Sequence, residues 1–183
     1  MAKIASNLKL KRVTEVASEL LNSIGLMKAP IDLERVLEAA GIRAEAADLG
    51  EDVSGLLSIH NGKGVIAYSE DQSIQRQRFT IAHELGHFLL HKSNGEDTVF
   101  LDKDFIVKYR SNKAYTETEM RQEQEANTFA ASLLMPKELI FNELSKPEIQ
   151  KLSENVLIER LAQTFEVSIP AMTFRLSNLN ILY

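Results

Sequence analysis

The sequence predicts an α+β protein that is mostly helical, with a small three-stranded sheet packed beside one long central helix. Apolar residues recur at helical spacing towards both ends of the chain, whereas short strand-like runs in the middle flank the hairpin signal Asn61-Gly62. Strands and helices are grouped rather than alternating, which favours this class over a parallel sheet of βαβ units.

Two helices open the chain. The first covers residues 10–24, where apolar residues at helical spacing precede a stop at Gly25. The second is predicted to begin at Pro30 and to end at Gly41, with a buried stripe formed by Leu33, Val36 and Leu37.

The sheet follows, with strands near residues 42–49, 55–59 and 64–68. The next helix covers residues 75–91, which are rich in helix formers and contain no proline. Residues 93–116 show no regular pattern and are expected to form a long connection.

The last part of the chain is predicted to be helical. A helix over residues 117–134 is stopped by Pro136, and helices over about 155–165 and 168–179 are separated by a short turn. Ser168 can cap the last helix, and the pair looks like a helix-turn-helix.

Length and composition limit the number of domains and the residue types that can bind a metal. The chain has 183 residues, 44% of them hydrophobic, and we expect one domain over residues 1–150 with a helical appendage over residues 151–183 packed on it. It contains no cysteine, so any metal must be held by His, Asp or Glu.

The net charge of -5 makes a nucleic-acid partner unlikely. Neither a signal peptide nor a membrane-spanning stretch is recognised, so a cytoplasmic location without membrane contact is expected.

The motif His83-Glu84-Leu85-Gly86-His87 lies in the middle of the helix predicted over residues 75–91. Residues i and i+4 share one helix face, so His83 and His87 can reach the same metal ion. Glu84 points about 100° further round the helix, where it can take a proton from a metal-activated water. The structural alternative is a pair of hydrogen-bonded core histidines.

A catalytic zinc site needs a third protein ligand. His60 lies at the predicted hairpin, away from the motif. His91 lies two turns past His83, about 12 Å along a straight helix, which is poor geometry for a shared ion. We therefore expect His91 to act as a cation near a helix end, and a carboxylate to complete the site.

The helix over residues 117–134 supplies that carboxylate. Glu123 precedes the apolar residue Ala126 by three positions and so shares the buried side of the helix. Asn127 lies one turn further on the same face, where it can support a ligand. Glu125 is the less favoured candidate and is expected to be solvated.

Two blocks of sequence resemble a known family. They are residues 76–91, RQRFTIAHELGHFLLH, and residues 123–136, EQEANTFAASLLMP. In this order they resemble the ImmA/IrrE family of metallopeptidases, and weaker similarity extends over most of the chain.

The resemblance implies a zinc-dependent, gluzincin-like peptidase. It implies that His83, His87 and Glu123 bind zinc and that Glu84 is the general base. Asn127 stands where related gluzincins place an acidic residue that orients a ligand histidine. Members of the family are associated with cleavage of repressor-type transcription regulators in mobile elements and stress responses, so the expected partner is a helix-turn-helix repressor.

Other expectations accompany this reading. Arg110, with Tyr109 and Tyr115 nearby, is the first candidate to stabilise an oxyanion. Manganese or iron could replace zinc with the same ligands. A DNA-binding regulator with a structural metal site is an alternative, although the last helix offers Arg175 and few other groups to read DNA. A protein that captures a repressor without cutting it is another.

Overall fold

The computed structural model describes residues 2–91, 98–103 and 116–182. The strands in these ranges are β1 (Arg43–Ala47), β2 (Val53–His60), β3 (Lys63–Ser69) and β4 (Thr98–Lys103). The helices are α1 (Ala2–Ser23), α2 (Leu33–Ala40), α3 (Ile74–His91), α4 (Glu117–Leu134), α5 (Lys137–Leu144), α6 (Glu154–Phe165) and α7 (Ile169–Asn178). The predicted α+β class, mostly helical with a small sheet, is confirmed.

The sheet has the strand order β1-β3-β2-β4. Strands β2 and β3 form an antiparallel hairpin, β1 runs parallel to β3, and β4 runs antiparallel to β2. At the hairpin, Asn61 and Gly62 both have positive φ, 49° and 75°, as a type I′ turn requires. The Asn-Gly signal therefore sets the register of the two central strands.

The prediction of three strands was wrong, because β4 adds a fourth. This strand has only six residues and lies within the stretch expected to be irregular. Its partner β2 is far away along the chain, with Phe100 opposite Leu57. Local periodicity does not report such a pairing.

Three helices also differ from the prediction. Helix α1 begins at Ala2 rather than at residue 10. Helix α2 begins after Asp32 rather than at Pro30, because the Asp32 carboxylate accepts the backbone N–H of Arg35 at 3.2 Å and caps the first turn. Helix α5 was not predicted. It starts directly after Pro136, whose extended backbone ends α4 and serves as the N-cap residue of the next helix.

One buried cluster joins the elements around the sheet. Its members include five fully buried residues: Ile66 of β3, Leu85 of α3, Phe129 of α4, Phe165 of α6 and Leu176 of α7. The C-terminal helix pair thus contributes to the same core as α3 and α4. The boundary at residue 150 stays a prediction.

Helix α3 lies between the sheet and α4. A Cβ atom on Gly86 would lie 3.2 Å from the Cα of Ala126 and 3.3 Å from its carbonyl oxygen. The two helix backbones therefore approach closely at the centre of the HExxH motif, which brings the side chains of α4 within reach of the motif. Among the described residues, no helix has the length and apolarity needed to cross a bilayer.

Candidate metal centre

Helix α3 presents His83 and His87 side by side. Both are buried, with 3% and 2% of their surface exposed. Their Nε2 atoms are 3.0 Å apart, as expected of two side chains one helical turn apart whose rings turn towards a common point.

Glu123 of α4 faces the same point. Its Oε2 lies 3.6 Å from Nε2 of His83, and its Oε1 lies 3.3 Å from Nε2 of His87. The three ligand atoms of this group lie within 4.8 Å of one another. The Glu123 side chain is 27% exposed, so the group is open to solvent on the α4 side.

These separations fit a single ion. Zinc binds imidazole nitrogen and carboxylate oxygen at about 2.0–2.2 Å, so neighbouring ligand atoms in a tetrahedral site are about 3.3–3.5 Å apart. The observed distances of 3.0, 3.3 and 3.6 Å bracket that value. Two imidazoles and one carboxylate leave one tetrahedral position for water or substrate.

Asn127 fixes the orientation of His83. Its Oδ1 lies 3.0 Å from Nδ1 of His83. An amide oxygen only accepts, so the ring donates from Nδ1 and keeps the lone pair of Nε2 for a metal. The neutral amide can therefore orient this imidazole without adding a charge.

His87 is oriented by a chain of two further residues. Nδ1 of His87 lies 3.1 Å from Nδ1 of His91, and Nε2 of His91 lies 2.9 Å from Oε2 of Glu125. With Nε2 of His87 turned to the ligand group, His87 donates to His91, and His91 donates to the carboxylate. Burial lowers the pKa of His91, although its hydrogen bond to Glu125 acts in the opposite direction. This agrees with a neutral ring in this chain and not with the cation expected near the helix end.

The prediction that Glu125 is solvated was therefore wrong. Its side chain is 15% exposed, that of His91 is 5% exposed, and the two are hydrogen-bonded. Glu125 does point away from the ligand group, as its helical position requires. The last turn of α3 passes beside it and gives it a partner, which the sequence of α4 alone does not show.

The missed strand β4 also contributes to the site. Phe100 stacks on the imidazole of His87, with ring centroids 4.8 Å apart and 23° between the planes. The ring of His87 is thus held by an aromatic face on one side and by a hydrogen bond at Nδ1. No local sequence signal placed Phe100 here.

Glu84 faces the sheet instead of α4. It is completely buried, and a Cβ on Gly55 of β2 would lie 3.3 Å from its Oε1 and 3.4 Å from its Cγ. Sequence reasoning missed this role of Gly55. Its position at the start of a predicted strand was a usable signal, because glycine inside a strand often marks close approach of another group.

The remaining candidates lie elsewhere. His60 is exposed at the hairpin, where its Nε2 lies 2.9 Å from Nδ2 of Asn61. Arg110, Tyr109 and Tyr115 lie outside the described residues, so the oxyanion candidate stays a prediction.

The fold and the ligand group together define a class of protein. A helix carrying HExxH, a second helix supplying a glutamate, and a sheet on the other face of the first helix constitute a zinc-metallopeptidase-like fold. The family model for the Peptidase_M78 family, the IrrE N-terminal-like domain, matches residues 37–177. The chain belongs to this family, as its two sequence blocks indicated.

The solved structures add a similar fold. A Mycobacterium tuberculosis transcriptional regulator matches with a TM-score of 0.60 and 18% sequence identity. The match covers 91% of this chain and 46% of that chain, so this chain spans less than half the length of the regulator. No curated protein gives a significant match.

Proposed function

We propose that this protein is a zinc-dependent endopeptidase that cleaves a repressor-type transcription regulator, in a mobile-element or stress-response circuit. The observation that carries the proposal is the convergence of His83, His87 and Glu123 on one point, with Glu84 on the same helix. Family membership supports the peptidase class. The similar fold of a transcriptional regulator supports a role in transcription control.

Each residue has a distinct part in the reaction. Nε2 of His83, Nε2 of His87 and the carboxylate of Glu123 would hold the zinc ion. Bound zinc supplies Lewis-acid chemistry, because it acidifies water and polarises a carbonyl group. Asn127 and His91 keep the two imidazole rings in the required tautomer and orientation.

Glu84 performs the proton transfer. Its carboxylate accepts a proton from the attacking water and passes it to the amine that leaves when the peptide bond breaks. The close approach of β2 at Gly55 restricts the rotation of the side chain, which helps to keep the carboxylate in place. Arg110 would have a separate role and stabilise the oxyanion that forms when the carbonyl group is attacked.

The test separates binding of metal from turnover. Metal content is measured in the purified full-length protein and in three variants, and cleavage is followed with repressors encoded near the gene. We expect about one zinc per chain in the wild type and in Glu84→Gln, and loss of zinc in His83→Ala and Glu123→Ala. Glu84→Gln should lose turnover by about 10²- to 10⁴-fold.

Two results would contradict the proposal in different ways. Cleavage by Glu84→Gln at the wild-type rate would remove the assigned base. Zinc binding without any product, together with stable association of a repressor, would support the capture protein instead. Manganese or iron in place of zinc would change the cofactor but not the ligand residues.

The DNA-binding alternative has little support in the structure. Arg175 is the basic residue of α7, and it is 7% exposed, with Nε donating to the carbonyl oxygen of Met135 at 3.0 Å. A recognition helix reads DNA with several basic or amide side chains, whereas α7 carries one basic residue, Arg175, and one amide, Asn178. A cytoplasmic location and a protein partner stay predictions.

A further inference from the structure

A large cavity adjoins the metal centre on the side opposite the sheet. It lies between α1, α4 and α7 and has a volume of about 1320 Å³. Glu123 and Asn127 form part of its wall, so the ligand group opens into this space. Pockets for small molecules usually measure about 300–1,000 Å³, and this one is large enough for a stretch of polypeptide.

Apolar side chains form much of the cavity wall. Phe174 of α7 is 67% exposed and Met120 of α4 is 54% exposed, and both line the cavity. Large apolar groups in contact with solvent on two helices that line one cavity are typical of a binding surface, because water leaves them when a partner binds.

The charge of the cavity wall differs in sign from that of the whole chain. The net charge of the chain is -5, but the cavity is lined by Lys11, Lys137 and Arg175. The carboxylate in its lining belongs to Glu123, which the metal would neutralise. A partner that is apolar and acidic is therefore complementary to this surface.

Arg175 is the strongest of these cationic groups. It is more than nine-tenths buried, and its Nε is fixed on the carbonyl oxygen of Met135. Burial lowers its pKa to about 10, with Glu138 offsetting only part of the effect, so the guanidinium is charged at neutral pH. Within the described part of the chain it forms no ion pair, and it borders the cavity. A fixed, partly dehydrated guanidinium is well suited to bind a carboxylate.

We propose that this cavity holds the substrate segment next to the scissile bond, and that it selects an apolar segment carrying a carboxylate. Apolar side chains of the substrate pack on Phe174 and Met120, and the carboxylate pairs with Arg175. The inference rests on the proposed peptidase function, since it assigns the cavity to the substrate of the same site.

Binding of defined peptides to the full-length, zinc-loaded Glu84→Gln protein tests the proposal. Two fluorescein-labelled peptides of about 12 residues, roughly 40 Å when extended, carry the same Leu and Phe residues but either Glu or Lys between them. We expect the acidic peptide to bind at least about tenfold more tightly than the basic one, measured by fluorescence anisotropy. Equal affinities would overturn the proposal.

Variants locate the binding site. Phe174→Ser is expected to weaken binding of the acidic peptide about tenfold, whereas Ile74→Ser, at an equally exposed position of 67% on α3, should bind as before. Lys137→Glu should weaken binding about threefold at low salt and less at high salt, whereas Lys151→Glu should not. Arg175→Lys should retain more affinity than Arg175→Gln, and melting temperatures show whether each variant is folded.

The possible outcomes separate this inference from the proposed function. If the wild type cleaves a repressor and Phe174→Ser cleaves it with the same kcat/KM, the cavity assignment fails and the peptidase function stands. If no cleavage occurs but peptide binding depends on Phe174 and Lys137, the cavity assignment stands for a capture protein. Displacement of the acidic peptide by a short DNA duplex, with loss of DNA binding in Lys137→Glu, would assign the surface to nucleic acid and overturn the proposal.

Discussion

Substitution of Gly55 by alanine should impair catalysis without removing a single atom of the metal centre. Gly55 lies on β2 where the strand crosses Glu84 of α3. An added Cβ would overlap Cγ2 of Thr80 and lie 3.3 Å from Oε1 of Glu84. Thr80 is 1% exposed and Glu84 is 0% exposed, so neither side chain can move into solvent. Either the strand or the helix must shift.

The magnitude follows from two opposing effects. Overpacking a well-filled site costs about 1–3 kcal/mol. Alanine also lowers the conformational entropy of the unfolded chain. This stabilises the folded protein by about 0.4–1 kcal/mol where the native backbone conformation suits alanine. The variant should therefore lose about 1–2 kcal/mol of unfolding free energy. A displacement of the Glu84 carboxylate by about 1 Å can reduce turnover by about 10²-fold, which is a larger effect than the loss of stability.

The assay compares Gly55→Ala with Gly64→Ala. A Cβ on Gly64 of β3 would lie 2.6 Å from Cδ1 of Ile42 and 2.8 Å from Cε2 of Phe88, so it also crowds α3 but meets only apolar core residues. Urea denaturation should give losses of the same order for both variants. Metal affinity should stay near the wild-type value in both, and kcat should fall about 10²-fold only in Gly55→Ala. Equal turnover of the two folded variants would refute the argument that β2 positions the base.

Other predictions concern the ligand group. Asn127→Ala should weaken zinc affinity about 10- to 100-fold, because Nδ1 of His83 loses its acceptor; competition with a chromophoric chelator measures this, and unchanged affinity would contradict the role. Glu125→Gln should have a smaller effect in the same assay, since it acts on His87 only through His91. Removal of the metal by a chelator should lower the melting temperature. Relative to protein in free zinc at 100 times its Kd, the expected loss of unfolding free energy is about 2.7 kcal/mol. A melting curve that does not depend on zinc would exclude binding to the folded state.

The two helices that carry the site were predicted almost to the residue. Helix α3 starts at Ile74 instead of residue 75, and α4 has the predicted bounds. The start of α4 is marked locally, because Thr116 and Glu119 form a capping box. The choice of Glu123 came from its spacing to Ala126 on one helix face, and Ala126 is buried against α3, as that spacing required.

What the sequence did not predict depends on contacts between distant parts of the chain. Strand β4 is defined by its pairing with β2, and Phe100 reaches His87 only because of that pairing. Glu125 has its partner, His91, on another helix. Helical periodicity therefore predicted the direction of the Glu125 side chain but not its surroundings. Helix α5 begins directly after Pro136. The sequence pattern marks this proline as a stop for α4, but proline is also compatible with the start of a helix.

Helix α3 is held by close backbone approaches on two faces, and the two faces carry different chemistry. On one face Gly86 lets the backbone of α4 come within van der Waals distance, and α4 brings Glu123 and Asn127 to the histidines. On the other face Gly55 lets β2 lie against Glu84. Alanine at position 86 would push α4 away and should weaken zinc binding before it affects the base, whereas alanine at position 55 should do the reverse. In the proposed mechanism, metal binding and proton transfer are thus positioned by separate contacts of one helix, and a variant that impairs one of them can leave the other intact.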